Sequence, residues 1–76
     1  MNLAFVLINA DVGGEAELVK ELDKFEEVKD VYIVYGVYDI LVKLEAESSD
    51  KLKEFIIGKL RRLSKVKSTL TMLVIE

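Results

Sequence analysis

The stretch Val31-Tyr-Ile-Val-Tyr-Gly-Val-Tyr-Asp-Ile-Leu-Val42 contains two apolar runs, rich in β-branched and aromatic residues, that meet at a single glycine. This pattern predicts two strands joined by a hairpin turn at Gly36. Tyr38 and Asp39 follow the glycine, so an aromatic ring and a carboxylate lie at the start of the second strand. We expect an aspartate in that position either to form the turn or to belong to a small polar site.

Outside this hairpin, the apolar periodicity predicts the order strand, helix, strand, strand, helix, strand. The second helix begins after an N-cap at Ser48 or Ser49 and contains Gly58, which costs about 1 kcal/mol relative to alanine in a helix interior. The predicted strands are Leu3–Ala10, Val31–Tyr35, Ile40–Ala46 and Lys65–Ile75, and the first helix covers Glu15–Glu26. This order predicts an α+β, ferredoxin-like βαββαβ fold, in which two helices cover one face of a four-stranded antiparallel sheet.

The other face of this sheet has no predicted cover. On the last strand we expect Leu70, Met72 and Val74 to face the helices, which leaves Thr69, Thr71, Leu73 and Ile75 on the uncovered face. That face is still half apolar, and monomeric proteins rarely expose a large apolar patch. We therefore predict that the sheet packs against the sheet of a second copy, giving at least a homodimer.

The length and composition favour the same conclusion. A chain of 76 residues predicts one domain, residues 1–76, whose core is marginal without a disulfide, a metal or oligomerisation. The chain has no cysteine and no histidine, which excludes disulfides and Cys- or His-ligated metals. Oligomerisation is therefore the expected source of additional stability.

The chain has no apolar run long enough to cross a membrane and no signal-peptide pattern. We expect a soluble, cytoplasmic protein with no membrane partner. Lysine and glutamate are abundant and glutamine is absent, a composition that fits a thermophile.

The net charge of −3 argues against direct binding to nucleic acid, which relies on basic side chains to neutralise phosphates. A local basic cluster follows the second helix. We interpret it as a solvated surface that complements the helix dipole, and contact with a partner stays open as the alternative. The cluster comprises Lys59, Arg61, Arg62, Lys65 and Lys67.

The residue types argue against an enzyme. Nucleophilic catalysis needs a nucleophile beside a base, and the chain offers neither histidine, nor cysteine, nor a serine beside a plausible base. Gly13-Gly14 lacks the Lys-Ser/Thr of a P-loop and the third glycine of a dinucleotide fingerprint, so a flexible turn is favoured there. We expect no catalytic activity, no cofactor and no metal.

Residues 36–39 and the threonines of the last strand contain the groups that a small zwitterion needs. Asp39 can accept hydrogen bonds from an ammonium group, while threonine hydroxyls and the amides of the Gly36 turn can donate to a carboxylate. Val37 and Tyr38 can enclose the side chain. The turn and the last strand lie on opposite edges of the predicted sheet, so we expect a subunit interface to close the site. In the alternative, Gly36 only supplies a positive φ and Asp39 only satisfies a nearby backbone amide.

The Gly-x-Tyr-Asp turn and the Val-x-x-Thr-x-Thr strand at residues 66–71 resemble the effector-sensing domain of the leucine-responsive regulatory protein/AsnC family, also called the RAM domain. The resemblance covers essentially the whole chain. It implies ferredoxin-like dimers joined through their sheets and assembled into rings, often octamers, with an amino acid bound where dimers meet. The residues at the motif positions of the effector site are Gly36, Val37, Tyr38, Asp39, Ser68, Thr69 and Thr71.

Full-length members of this family carry an N-terminal helix-turn-helix, whereas this sequence begins at the first strand of the sensing domain. We therefore expect a stand-alone form with no direct DNA binding, which modulates transcription by co-assembling with full-length regulators. ACT domains share the topology and favour a glycine-rich contact after the first strand, so Gly13-Gly14 keeps an ACT-like binding module open. A structural assembly or adaptor domain without a ligand is the other alternative.

Overall fold

A computed structural model describes residues 2–75 and contains four strands and two helices in the predicted order. The elements are β1 (Asn2–Ala10), α1 (Glu15–Leu22), β2 (Val28–Ile33), β3 (Ile40–Ala46), α2 (Ser49–Gly58), a 3₁₀ turn (Leu60–Arg62) and β4 (Val66–Leu73). The strands form one antiparallel sheet in the order β2-β3-β1-β4, so β2 and β4 are its edges. The predicted α+β, ferredoxin-like fold is confirmed.

The core lies between one face of the sheet and the two helices. Alternate residues of β1 and β3 point into it, as expected from the period of two in a strand. Leu18 and Leu22 from α1 and Leu52, Phe55 and Ile56 from α2 complete the packing. The buried residues of the central strands are Ala4, Val6, Ile8, Ala10, Ile40, Val42, Leu44 and Ala46.

Both helices end earlier than the apolar stripes predict. The helix α1 stops at Leu22 instead of Glu26, and Phe25 lies in the following turn, where its ring packs edge-on against Phe55 at a centroid distance of 5.1 Å. Gly58 is the last residue of α2 and not an interior one, so it ends the helix and does not weaken its middle. The buried Leu60 follows in the 3₁₀ turn.

The strand β2 runs from Val28 to Ile33, which begins and ends earlier than the predicted Val31–Tyr35. Its pairing with β3 shifts register between Val28 and Asp30. Because this irregularity interrupts the alternation of apolar and polar residues, the sequence pattern does not indicate that the strand begins at Val28. The strand β3 has the predicted bounds. The strand β4 is shorter than the predicted Lys65–Ile75.

The prediction for the two faces of β4 was wrong. Thr69 and Thr71 pair with Ile8 and Val6 of β1, which point into the core, so both threonines lie on the helix side of the sheet. The pairing skips Lys67, because Ser68 opposes Asn9 while Val66 opposes Ala10. This bulge changes the alternation within β4, so that Val66 and the threonines share one face and Leu70, Met72 and Val74 lie on the other.

The uncovered sheet face is therefore apolar mainly along its centre and its β4 edge. Its large apolar side chains are Leu3, Phe5, Leu7, Tyr32, Leu41, Leu70, Met72 and Val74. Lys43 and Asp30 lie on the same face with their charged atoms 4.0 Å apart. Within residues 2–75, neither helix has the length and hydrophobicity needed to span a membrane.

Candidate functional site

The loop between β2 and β3 has the glycine conformation that the sequence predicts. Gly36 has φ +151°, a value that other residues rarely adopt, and a Cβ atom there would meet no other atom within 4 Å. The two ends of the loop are joined by a hydrogen bond of 2.8 Å from the Val34 N–H to the Asp39 carbonyl oxygen. Backbone conformation, and not a lack of space, is what requires glycine at position 36.

Asp39 anchors this loop to the end of β1. Its carboxylate Oδ2 accepts a hydrogen bond of 2.9 Å from the Ala10 N–H, and its own N–H donates to the Ile8 carbonyl oxygen at 3.0 Å. The expectation that Asp39 satisfies a nearby backbone amide is confirmed. Within residues 2–75 the second carboxylate oxygen has no hydrogen-bond partner and is not fully buried, so it remains available to a ligand.

The tip of the same loop exposes large apolar side chains. Tyr35 is 106% exposed and Val37 is 85% exposed, relative to the same residues in a free chain, whereas Tyr38 is half-buried. Ile33, at the end of β2, is also mostly exposed. Isolated exposed apolar residues are common, but several on one protruding loop indicate a contact surface.

The three predicted site residues of β4 do not share a face. Ser68 lies on the uncovered face opposite Asn9, whose Nδ2 donates a hydrogen bond of 3.2 Å to the Ser68 Oγ. Thr69 and Thr71 lie on the helix side. They are not buried, because β4 is an edge strand and α2 packs over β1 and β3.

Two shallow depressions lie beside β4. One is an open groove of about 210 Å³ between α2 and β4, lined by Ile56, Ile57, Leu73, Thr71 and the cationic Lys53. The other, of about 330 Å³, lies beside the first half of β4 and is lined by polar residues that include Lys67, Ser68 and Thr69. Arg61 lines both.

A single copy brings together only part of the predicted site. Asp39 and Ser68 lie at the same end of the sheet, but they contact different residues of β1, which runs between them. The β2 and β4 edges are three strand spacings apart, about 14 Å. One amino acid cannot contact both the tip of the loop and Thr71 of the same copy.

The motifs do not indicate three residues that lie next to the predicted site residues, namely Asn9, Ala10 and Arg61. The signal for the first two is topological, because a ferredoxin-like sheet places β1 between the strands that carry Asp39 and Ser68. The signal for Arg61 is its membership of the basic cluster, which we interpret above only as a solvated surface. Its position beside β4 depends on the 3₁₀ turn, which the apolar stripe does not predict.

The arrangement provides hydrogen-bond donors and acceptors for recognition. Residues 2–75 contain no cluster of three or more acidic, histidine or cysteine side chains placed to hold a metal ion. No buried side-chain nitrogen or oxygen in this range lacks a hydrogen-bond partner. Groups in this part of the chain that can contact a small molecule include one Asp39 oxygen, the hydroxyls of Thr69 and Thr71, and the cationic side chains of Lys53, Arg61 and Lys67.

Comparison with solved structures identifies close relatives of this fold. The structure superposes on that of FFRP-DM1 with a TM-score of 0.96 and 39% sequence identity, covering 99% of this chain and all of the other. It also superposes on Escherichia coli AsnC with a TM-score of 0.91 and 25% identity, where it covers 99% of this chain but 51% of the other.

Sequence comparison agrees. The transcriptional regulator FL11 of Pyrococcus abyssi, a regulator of the helix-turn-helix type, is 38% identical over 76 residues, which are 97% of this chain and 48% of FL11. The chain thus spans about half the length of the curated relatives it matches. The sequence pattern of the Lrp/AsnC ligand binding domain matches residues 3–76. This chain therefore belongs to the Lrp/AsnC family and corresponds to its ligand-binding domain.

Proposed function

We propose that residues 1–76 form a single amino-acid-sensing domain that oligomerises and modulates transcription indirectly, by co-assembling with full-length regulators of its family. In this proposal the domain is not an enzyme and does not contact DNA itself. The amino acid binds between copies, with the Gly36–Asp39 loop of one copy facing the β4 edge of another. Ser68, Thr69 and Thr71 contribute from β4.

The observation that carries this proposal is the complementarity of the two edges of the sheet. The β2 edge ends in a protruding apolar loop with Tyr35 and Val37 at its tip, and the β4 edge carries an open groove with apolar walls. Because the two features lie on opposite edges, only different copies can bring them together. In this proposal the same contact brings the remaining Asp39 oxygen and the loop amides to the threonine hydroxyls of the other copy.

The roles of the groups follow from their chemistry. The Asp39 carboxylate accepts hydrogen bonds from the ligand ammonium through the oxygen that Ala10 does not use. The amides of the Gly36 loop donate to the ligand α-carboxylate, and the hydroxyls of Thr69 and Thr71 act as donors or acceptors toward the rest of the ligand. Val37 and Tyr38 exclude water from one side of the ligand.

Native mass spectrometry in the presence of a pool of the twenty amino acids tests this proposal. We expect an oligomer with an even number of subunits that gains the mass of one amino acid per site. Titration calorimetry with the selected amino acid then compares wild type with Asp39→Asn, whose side-chain oxygen can still accept the Ala10 hydrogen bond but whose charge is lost. The affinity should fall at least tenfold.

The matched control is Asp23→Asn, which removes an exposed carboxylate at the end of α1 and should leave the affinity unchanged. Unchanged affinity in Asp39→Asn removes Asp39 from the site. A stable oligomer that gains no amino-acid mass contradicts the sensing proposal as a whole.

A structural assembly domain without a ligand is the second candidate. It is favoured by the hydrogen bonds of Asp39, since a side chain that anchors the loop to β1 needs no further role to explain its presence. This candidate predicts the same oligomer without bound amino acid, and the same assembly with full-length relatives.

A further inference from the structure

Arg61 lies beside the proposed site, and the proposed function gives it no role. It lies in the 3₁₀ turn after α2 and lines both depressions beside β4, between the apolar groove and the polar depression. Its backbone is held in place because the preceding Leu60 is fully buried and the Leu63 N–H donates to the Leu60 carbonyl oxygen at 3.2 Å. A long cationic side chain therefore starts from a fixed point next to Thr69 and Thr71.

The charge of Arg61 has no carboxylate partner among residues 2–75. Lys43, Lys51 and Lys65 each lie within 4.0 Å of an acidic side chain, whereas neither Arg61 nor Lys67 forms such a pair. Lys67 lines the same polar depression. Lys53 lines the groove from the α2 side and forms no such pair either, so the β4 half of the site presents three positive charges that no carboxylate of residues 2–75 neutralises.

We propose that the site selects an amino acid with a carboxylate side chain, and that Arg61 is the residue that determines this specificity. The inference rests on the proposed function, in which Asp39 and the loop amides bind the ammonium and the α-carboxylate. With these two groups bound by the loop, the side-chain carboxylate of the ligand lies at β4, where Arg61 recognises it. The planar guanidinium can bind it through two parallel hydrogen bonds, which a lysine cannot match in geometry.

The other walls fit the same ligand class. Ile57 and Leu73 line the groove, and in this proposal their aliphatic side chains pack against the methylene groups that connect the two ends of a dicarboxylic amino acid. The Thr71 hydroxyl can donate to a carboxylate oxygen. A lysine or arginine ligand would bring a positive side chain next to Arg61 and Lys67, so the site discriminates against it by repulsion.

Titration calorimetry with glutamate, aspartate, glutamine, asparagine, leucine and lysine tests this specificity. Wild type should bind one of the two acids at least tenfold more tightly than its amide counterpart, which has the same shape without the charge. Arg61→Gln should remove this preference by weakening the acid and not the amide. Arg62→Gln is the matched control, because Arg62 is the adjacent exposed arginine and lines neither depression.

The outcomes separate this inference from the proposed function. Equal weakening of acids and amides in Arg61→Gln would show that Arg61 contacts the α-carboxylate common to all amino acids, which overturns the specificity. Tighter binding of leucine or lysine than of either acid also overturns it, yet leaves amino-acid sensing intact. Failure of every amino acid to bind the folded wild-type oligomer rejects both.

Discussion

Asp39 joins three segments of the chain at one residue. Its carboxylate accepts from the Ala10 N–H, its N–H donates to Ile8, and its carbonyl oxygen accepts from the Val34 N–H. A hydrogen bond to a charged acceptor contributes about 1.5–3 kcal/mol, and losing the acceptor leaves a part-buried donor without a partner. We expect Asp39→Ala to lower the free energy of unfolding by about 1–2 kcal/mol, which for a domain of this size lowers the melting temperature by roughly 5–15 °C.

Thermal denaturation at one fixed protein concentration measures this loss and keeps any contribution from self-association constant. Asp39→Asn is the control, because its amide oxygen can replace Oδ2 as the acceptor for Ala10. It should lose less than half of what Asp39→Ala loses. If Asp39→Ala melts with the wild type, the hydrogen bond to Ala10 contributes nothing and the anchoring role is wrong.

At the residue scale, the local chemistry of the turn was predictable and the position of the threonines was not. Gly36 and Asp39 have conformations and partners that follow from the residue types alone, because glycine favours positive φ and aspartate accepts from backbone amides. Thr69 and Thr71 alternate with leucine and methionine and share their face with Leu73, so both faces of β4 carry apolar residues and the pattern alone does not decide which face is covered. Only the pairing with β1 decides which face is inside.

At the element scale, the start of α2 offers a direct test of the local physics. The Ser48 Oγ accepts a hydrogen bond of 3.2 Å from the Lys51 N–H, which identifies Ser48 and not Ser49 as the N-cap. Replacing an N-cap serine by alanine costs about 1 kcal/mol, because the amide of the first turn loses its partner. We expect Ser48→Ala to lower the free energy of unfolding by about this amount in urea denaturation.

Ser49→Ala is the matched control, since Ser49 is the first residue of the helix and alanine has the higher helix propensity. It should be neutral or slightly stabilising. An equal loss of stability in both variants would mean that hydrophilicity at this end, and not the cap, determines the effect.

The elements were predictable in type and order but less so in their bounds and facing. Strands and helices follow from apolar periodicity, which long segments carry clearly. A bulge changes the period by a single residue and has no signature in composition, so the shift at Lys67 and the inverted faces of β4 arise only from pairing. The end of α2 at Gly58 is missed for a different reason, because the apolar stripe continues through Leu60 into a different helix type.

At the scale of the whole molecule, the orientation of β4 creates two separate surfaces. The uncovered sheet face carries Phe5, Leu7, Leu70 and Met72, while the threonines belong to the groove on the helix side. Contact between two sheet faces uses the same surface on both copies and closes after two. Contact between a β2–β3 loop and a β4 groove uses different surfaces, so it continues from copy to copy and closes only as a ring.

We expect substitutions on these two surfaces to give assemblies of different mass. Leu70 is 46% exposed on the sheet face, so Leu70→Glu introduces a charge there at little cost to the core, and we expect it to produce monomers. Tyr35→Ser removes the apolar tip of the loop without touching the sheet, and we expect it to stop assembly at the dimer. Light scattering coupled to size-exclusion chromatography distinguishes the two masses from that of the wild-type assembly.

Val12→Glu is the control for the added charge, because Val12 is an exposed apolar residue in the turn between β1 and α1 and belongs neither to the sheet face nor to the β2–β3 loop. It should retain the mass of the wild type. If Leu70→Glu retains a dimer while Tyr35→Ser gives a monomer, the loop forms the primary contact and the sheet faces do not pair. In that case an apolar sheet face remains uncovered in the dimer, and the reason for its composition must be sought in a partner other than a second copy of this chain.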